Sequence, residues 1–362
     1  DQQRYGYSAR ALMALHKCFA GTPYYRQQSL QQLLGLPVSA STIFDQCEHL
    51  ANAVQPIVRC LIRQAADAVQ YQLDDTTNRI LNQRSTQKPD RRTGKLKERT
   101  GVYTSGVIAT LSNHQCCVLF QTNIGHVGEW IDEIVATRRP DAPTPVLMSD
   151  GLSSNRATRL GDYHEAFCNA HARREFVEVL DHFPDIVPWI LEQYGLIWTH
   201  EAYCQEHELG SQQRLDYHRR HALPVMKQLR DWGQQQLDTE KIEENSGLGK
   251  ALGYLLRHFE PLTAFCRWPD VPLDNNQMEA TLKLIIRGRK NSLFYKSLAG
   301  AAVGDVLTSL IATCDKARIN TFDYLVVVQR HAEQIKSQPE LWLPWNYRQT
   351  LEALNIAEQT AA

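Results

Sequence analysis

Cysteine is sparse and unpaired in this 362-residue chain: the nine present (Cys18, Cys47, Cys60, Cys116, Cys117, Cys168, Cys204, Cys266 and Cys314) are odd in number, scattered and never arranged as C-x-x-C. That excludes a secreted disulfide framework and a structural zinc site, and fits a reduced, cytosolic protein. No run approaches the roughly 18 consecutive apolar residues that span a bilayer. Residues 1–25 lack the charged-then-apolar order of an export signal. Neither sign of charge is in excess: with 39 basic and 40 acidic residues the formal charge is −1, so any attraction to a polyanion must come from local clustering. A G-x-S-x-G elbow and a G-x-x-x-x-G-K-[ST] loop are both missing, which removes the usual signatures of serine hydrolases and P-loop nucleotide hydrolases. There is no initiating methionine either; opening on Asp1, the chain reads as the later part of a longer protein.

What remains is ordinary for a globular protein, 43% apolar and 22% charged, with enough length for two domains or one elaborated one. Residues 1–67 read as helical, with Leu12, Leu15 and Phe19 on one face. Within them "LQQLLGLPVSASTIFDQCEHLA" has a break at Gly35 to Pro37 and N-cap candidates Ser39 and Ser41, a helix-turn-helix-like pattern that serves either DNA contact or a plain helical hairpin. From Ala68 the period changes to two: Val69, Tyr71 and Leu73 alternate with Gln70, Gln72 and Asp74, a strand expected to end at Asp74-Asp75. A loop is expected over "QKPDRRTGKLKER", then a hairpin of "YTSGVIATL" and "QCCVLFQTN" about Ser112-Asn113. A helix follows through Trp130, Ile131 and Ile134, then a short buried strand, "PVLMSDGL", ending on Asp150. Residues 163–168 supply a fifth strand before a helix near Ala170, and a long helical block precedes a cap at Asp274-Asn275-Asn276 and a helix carrying Glu279. The domain reading is therefore 1–67 helical, 68–175 the first part of a catalytic domain, 176–265 a helical insertion, 266–335 its last helices and 336–362 a tail.

Two strand ends and a helix can gather Asp74, Asp150 and Glu279 despite their separation in sequence. Three hard oxygen donors without histidine or cysteine suit Mg²⁺ or Mn²⁺, and two such ions can clamp an in-line displacement at phosphorus. Close by, Lys283, Arg287, Arg289, Lys290 and Lys296 offer cations to a DNA backbone; the competing reading is a solvated basic helix end. In "FCNAHARREF", Cys168 and His171 fall short of a zinc site and read as a core thiol and a capping histidine, with Arg173 and Arg174 beyond. The aromatic cluster "LWLPWNYRQ" reads as packing.

"PYYRQQ", "SASTI", "DDT", "SDG", "CNAHARREF", "GLGKAL", "LDNNQMEATL", "GRKNSLF" and "LPWNY" stand in one order from residue 12 to 347. In that combination the chain resembles the insertion-sequence 66 family of bacterial transposases. The resemblance implies an α/β (α+β), ribonuclease-H-like fold: a mixed sheet flanked by helices, with an N-terminal helical segment and a large helical insertion before the last catalytic helix. It also implies a DDE triad on Asp74, Asp150 and Glu279 holding two Mg²⁺ (or Mn²⁺) ions, with Cys168, His171, Asn275 and Asn276 in support and Arg173 and Arg174 on DNA. Asp75, standing where the family commonly has Glu, is the alternative candidate to Asp74 for the metal, and Ala280, Leu284 and Ser292 depart from the family's Arg, Pro and Trp. The expected activity is cleavage at transposon ends and joining of the freed 3′-hydroxyl to target DNA. Its partners would be double-stranded DNA, further copies of the chain and accessory transposition proteins, in the bacterial cytoplasm and away from any membrane. The alternatives are a structure-specific nuclease of the same fold, and an inactive DNA-binding or assembly subunit.

Overall fold

A computed structural model describes residues 5–89 and 94–361. The chain divides into two compact units, one of residues 1–143, 154–161 and 278–362, the other of 144–153 and 162–277. The first opens with α1 (Tyr7–Cys18), α2 (Tyr24–Leu33) and α3 (Ala40–Ala65). The expected break separates α2 from α3: Gly35 adopts φ +75°, and the Ser39 hydroxyl accepts the Thr42 N–H at 3.1 Å as the N-cap of α3.

Strand β1 (Gln70–Asn78) runs past Asp74-Asp75 instead of ending there. Thr76 and Thr77 favour extended backbone, and β4 (Val102–Thr110) pairs antiparallel along the whole strand, Gln70 with Thr110 through Asn78 with Val102. Part of the expected loop is instead a hairpin, β2 (Thr86–Pro89) with β3 (Leu96–Arg99); residues 90–93 of that segment lie outside the described residues. Strand β5 (Cys116–Asn123) completes the expected hairpin with β4, and α4 (Val127–Ile134) follows.

In the second unit β6 (Val146–Ser149) pairs parallel with β7 (His164–Phe167). Then come α5 (Asn169–Val177), α6 (Val187–Glu206), α7 (Ser211–Asp238), α8 (Gly247–Arg257) and the short α9 (Phe259–Leu262). Their apolar faces share one core, including Phe176, Tyr194, Met226, Leu252 and Phe265. Helix α10 (Asn276–Ser292) returns the chain to the first unit, where α11 (Leu298–Lys316), α12 (Thr321–Arg330), α13 (Ala332–Ser337) and α14 (Tyr347–Ala361) complete it. Near the end Trp342 is buried and its carbonyl accepts the Tyr324 hydroxyl at 2.7 Å, so that aromatic cluster is packing. The fold class is the expected one, α/β, with β1, β4, β5, β6 and β7 the strands of a mixed sheet flanked by helices.

Helix α11 alone among the described residues is long and apolar enough to cross a membrane by length and composition, and 67% of that stretch is buried inside the protein. Its polar residues already have work. Asp305, Ser309 and Thr313, four residues apart, accept the backbone N–H groups of Thr122, Phe120 and Val118, two residues apart, at 2.7, 2.8 and 3.0 Å. Four helical residues rise about 6 Å and two strand residues about 6.6 Å, so the two repeats stay in step. A row of helix side chains thus takes the place of a further strand beside β5.

Candidate active site

The neighbours Asp74 and Asp75 point to opposite faces of β1. Asp75 pairs across the ladder with Ser105, whose hydroxyl donates to its Oδ1 at 2.6 Å. On the same face the Val127 N–H reaches both Asp75 oxygens at 3.0 Å, and His126 Nδ1 lies 3.0 Å from Oδ2. His126 is the N-cap residue of α4 and makes no side-chain cap of its own. Asp75 therefore caps α4 from across the sheet.

Asp74 pairs with Gly106 of β4. A Cβ on Gly106 would collide with Met278 Cε and come within 3.3 Å of Leu282 Cδ2, so the first turns of α10 press directly on the strand at that point. Met278, Leu282 and Ile285 continue the contact into a cluster with Ile108, Val118 and Phe120. Cross-strand partners share a face, so Asp74 stands on the face of the sheet that carries α10, and Glu279 is in the first turn of that helix. Both acids are half-buried. A glycine inside a strand was the sequence signal for this close approach.

The C-terminal half of α10 is tied to the same unit. The Arg289 guanidinium donates to Thr76 Oγ1 at 3.0 Å, to Thr77 Oγ1 at 2.9 Å and to the Thr77 carbonyl. Arg287 donates to the Phe19 carbonyl at 2.8 Å and Asn291 to that of Gly21 at 3.1 Å. Beyond the helix the backbone of Tyr295 exchanges hydrogen bonds with Arg79 and Leu81, 2.8 and 2.9 Å long. These ties leave Lys283, Lys290 and Lys296 exposed along the segment, with Arg287 exposed and Arg289 half-buried.

Asp150 belongs to the second unit, one residue past the end of β6. Its Oδ1 accepts the Leu152 N–H at 3.0 Å and its carbonyl accepts the Tyr254 hydroxyl at 3.1 Å. Gly151 makes the turn at φ +83°, and a Cβ there would lie 2.9 Å from Phe167 and from the Tyr254 hydroxyl. Only glycine meets both demands.

In the same unit, Cys168 is fully buried at the start of α5 and its Sγ accepts the Asn275 N–H at 3.2 Å. The Asn169 side chain donates to the Leu262 and Leu273 carbonyls at 2.9 and 3.0 Å. These bonds stitch "CNAH" to "LDNN", the loop that launches α10. Burial pushes the Cys168 thiol up to about 11, against the pull of the Asn275 N–H; at neutral pH it is a protonated sulfur holding a loop. His171 is half-buried on α5, Asn275 is buried and Asn276 exposed. Arg173, half-buried, and Arg174, exposed, line a groove with Trp198 that the sequence did not announce.

Residues 2–303 match the family described as "Transposase IS66 family". The chain belongs to that family of transposases. Among curated proteins of Sinorhizobium fredii (strain NBRC 101917 / NGR234), "Uncharacterized protein y4jD" is 33% identical over 205 residues, 55% of this chain and 38% of that protein. "Uncharacterized protein y4hP" is 24% identical over 353 residues, 92% of this chain and 60% of that protein. The chain thus spans less than two thirds of the length of each of these relatives.

Proposed function

We propose that this chain is the catalytic part of a DNA transposase, cutting phosphodiester bonds at transposon ends and directing the freed 3′-hydroxyl at target DNA. The observation that carries the reading is the pairing of Asp74 with Gly106 beneath the first turns of α10, which gives Asp74 and Glu279 one face of the sheet. Asp150, at the end of its own strand, is the third acid. The donor set, carboxylate oxygen throughout, fits Mg²⁺ or Mn²⁺. Two ions held by these acids would supply the Lewis acidity that activates the attacking oxygen and stabilises the leaving one.

The protein's own part is positioning. Asp75 fixes α4 and leaves the metal role to Asp74. Gly106 lets α10 approach β1 closely enough to bring Glu279 to the site, and Gly151 sets the turn that presents Asp150. Lys283, Lys290 and Lys296 hold the DNA backbone through screened charge contacts, while Arg287 and Arg289 brace the segment that carries them. Two DNA ends must be cut and joined in one event, so the active form is an assembly of several copies on double-stranded DNA.

The test uses purified protein with a labelled transposon-end duplex and Mg²⁺. Alanine at Asp74, Asp150 or Glu279 should abolish nicking, and strand transfer of a precleaved end, while duplex binding is kept. Full cleavage by any one variant removes that acid from the mechanism. Cleavage without joining of a precleaved end would make the protein a nuclease.

A further inference from the structure

The groove between α5 and α6, wholly within the second unit, deepens the DNA reading and rests on it. Arg173, Arg174 and Val177 recur at the spacing of one helix face on α5. Gly195 and Trp198, one turn apart on α6, line the same space, as does Asn276; its volume is about 520 Å³. That is the size of a small-ligand cleft. Among the described residues no carboxylate lines it. The Trp198 indole is held in place: its N–H donates to Asp274 Oδ2 at 3.1 Å, and its ring lies 6.1 Å from that of buried Tyr194.

Gly195 makes the groove more than a gap between helices. It sits inside the 20-residue α6, where glycine weakens a helix relative to alanine. A Cβ built on it meets no atom within 4 Å, so packing does not require the glycine, and φ is not in the left-handed region. What the missing side chain provides is open floor beside the indole.

We propose that this groove holds one unpaired nucleotide of a DNA strand, with the phosphate on Arg173 and Arg174 and the base against Trp198 over Gly195. Guanidinium groups match phosphate oxygens in geometry and charge, and an indole face accepts any base by stacking. A free phosphate would use the arginines alone and leave the indole and the glycine floor without a role. Duplex is too broad for the slot and engages the lysines of the first unit instead.

Fluorescence anisotropy with the full chain at one fixed salt concentration tests this, using a short oligothymidylate, an abasic strand of equal length and a duplex of equal length. Gly195→Leu, projecting from a position with open space, and Trp198→Ala should each weaken oligothymidylate binding about tenfold, with duplex binding held within about twofold. The abasic strand should bind wild-type protein as weakly as oligothymidylate binds the variants. Gly195→Ala, which favours the helix, should give a smaller loss in the same direction and decides the matter if Gly195→Leu fails to fold by circular dichroism. Unchanged oligothymidylate affinity in Gly195→Leu and Trp198→Ala, or equal binding of abasic and thymidine strands, overturns the proposal. Wild-type protein that binds duplex and ignores oligothymidylate ends the groove reading alone; protein that binds neither ends the transposase reading as well.

Discussion

On one face of β1 the Asp75 carboxylate gathers the Ser105 hydroxyl, the Val127 N–H and His126 within 2.6 to 3.0 Å. On the other face Asp74 lies opposite Gly106, whose missing side chain admits α10. The two acids share a strand, a charge and a degree of burial, so residue type and exposure cannot separate their roles. What stands on each face of the strand can. A carboxylate whose oxygens cap a helix is part of the scaffold, and moving it costs the fold. A carboxylate facing the helix that brings in a second acid is, in the proposed function, the one that serves chemistry. Asp305, a third acid, is buried and has both oxygens on Thr122, so it belongs with the scaffold.

The largest effect expected is a double dissociation. Asp74→Ala should lower cleavage by at least about a thousandfold, the scale on which single catalytic groups act, with a smaller shift of the denaturant midpoint than Asp75→Ala gives. Asp75→Ala should do the reverse: about 2–3 kcal/mol of stability lost, from hydrogen bonds to a charged acceptor and an α4 N-terminus left uncapped, with cleavage kept when assayed below the unfolding range. Urea titration beside a nicking assay reads both. If Asp75→Ala is the dead enzyme and Asp74→Ala the unstable one, the assignment is inverted.

Next comes Asp305. Burial pushes its carboxyl from the ordinary range up to about 6, against the two hydrogen bonds from Thr122. The folded protein then holds this proton more tightly than the unfolded chain. Its contribution to stability is complete below about pH 4 and lost as pH rises through about 6. Asp305→Asn keeps an acceptor for the Thr122 N–H and cannot ionise. Its stability relative to wild type should therefore grow between those limits, by on the order of 1–3 kcal/mol. Denaturation at several pH values measures it, and a difference independent of pH would refute the burial argument. Gly106→Ala should cost about 1–3 kcal/mol, since its methyl group must displace Met278, and should reduce cleavage further than that loss explains, because the turn bearing Glu279 moves with it.

Alternation in β1, the hairpin of β4 and β5, and the cap at Asp274 to Asn276 were legible because each is written in adjacent residues. The extent of β1 was not, since Asp74-Asp75 resembles a strand end until pairing with β4 carries Thr76 and Thr77 onward. The choice between Asp74 and Asp75 was readable only as a resemblance; register with Gly106 and Ser105, some thirty residues away, supplies the physical reason. Gly195 carries no signal in the sequence, because the arginines that line the same groove are on another helix. The stripe Asp305, Ser309 and Thr313 meant nothing without the β5 backbone beside it.

The smallest contrast lies between two adjacent cations of "GRKN". Arg289 spends its guanidinium on Thr76 and Thr77 at the far end of β1, while Lys290 is exposed. Arg289→Ala should therefore cost about 1 kcal/mol of stability from lost hydrogen bonds and leave the salt dependence of duplex binding near the wild-type slope. Lys290→Ala should change stability by no more than about 0.5 kcal/mol and reduce the slope of log affinity against log salt by about one, as expected when one phosphate contact is lost. Two salt titrations and two melts suffice. Equal slopes for wild type and Lys290→Ala would return this lysine to the solvated surface. A reduced slope for Arg289→Ala would mean that the brace also reaches the DNA, and that the two ends of β1 are less separate in function than their hydrogen bonds imply.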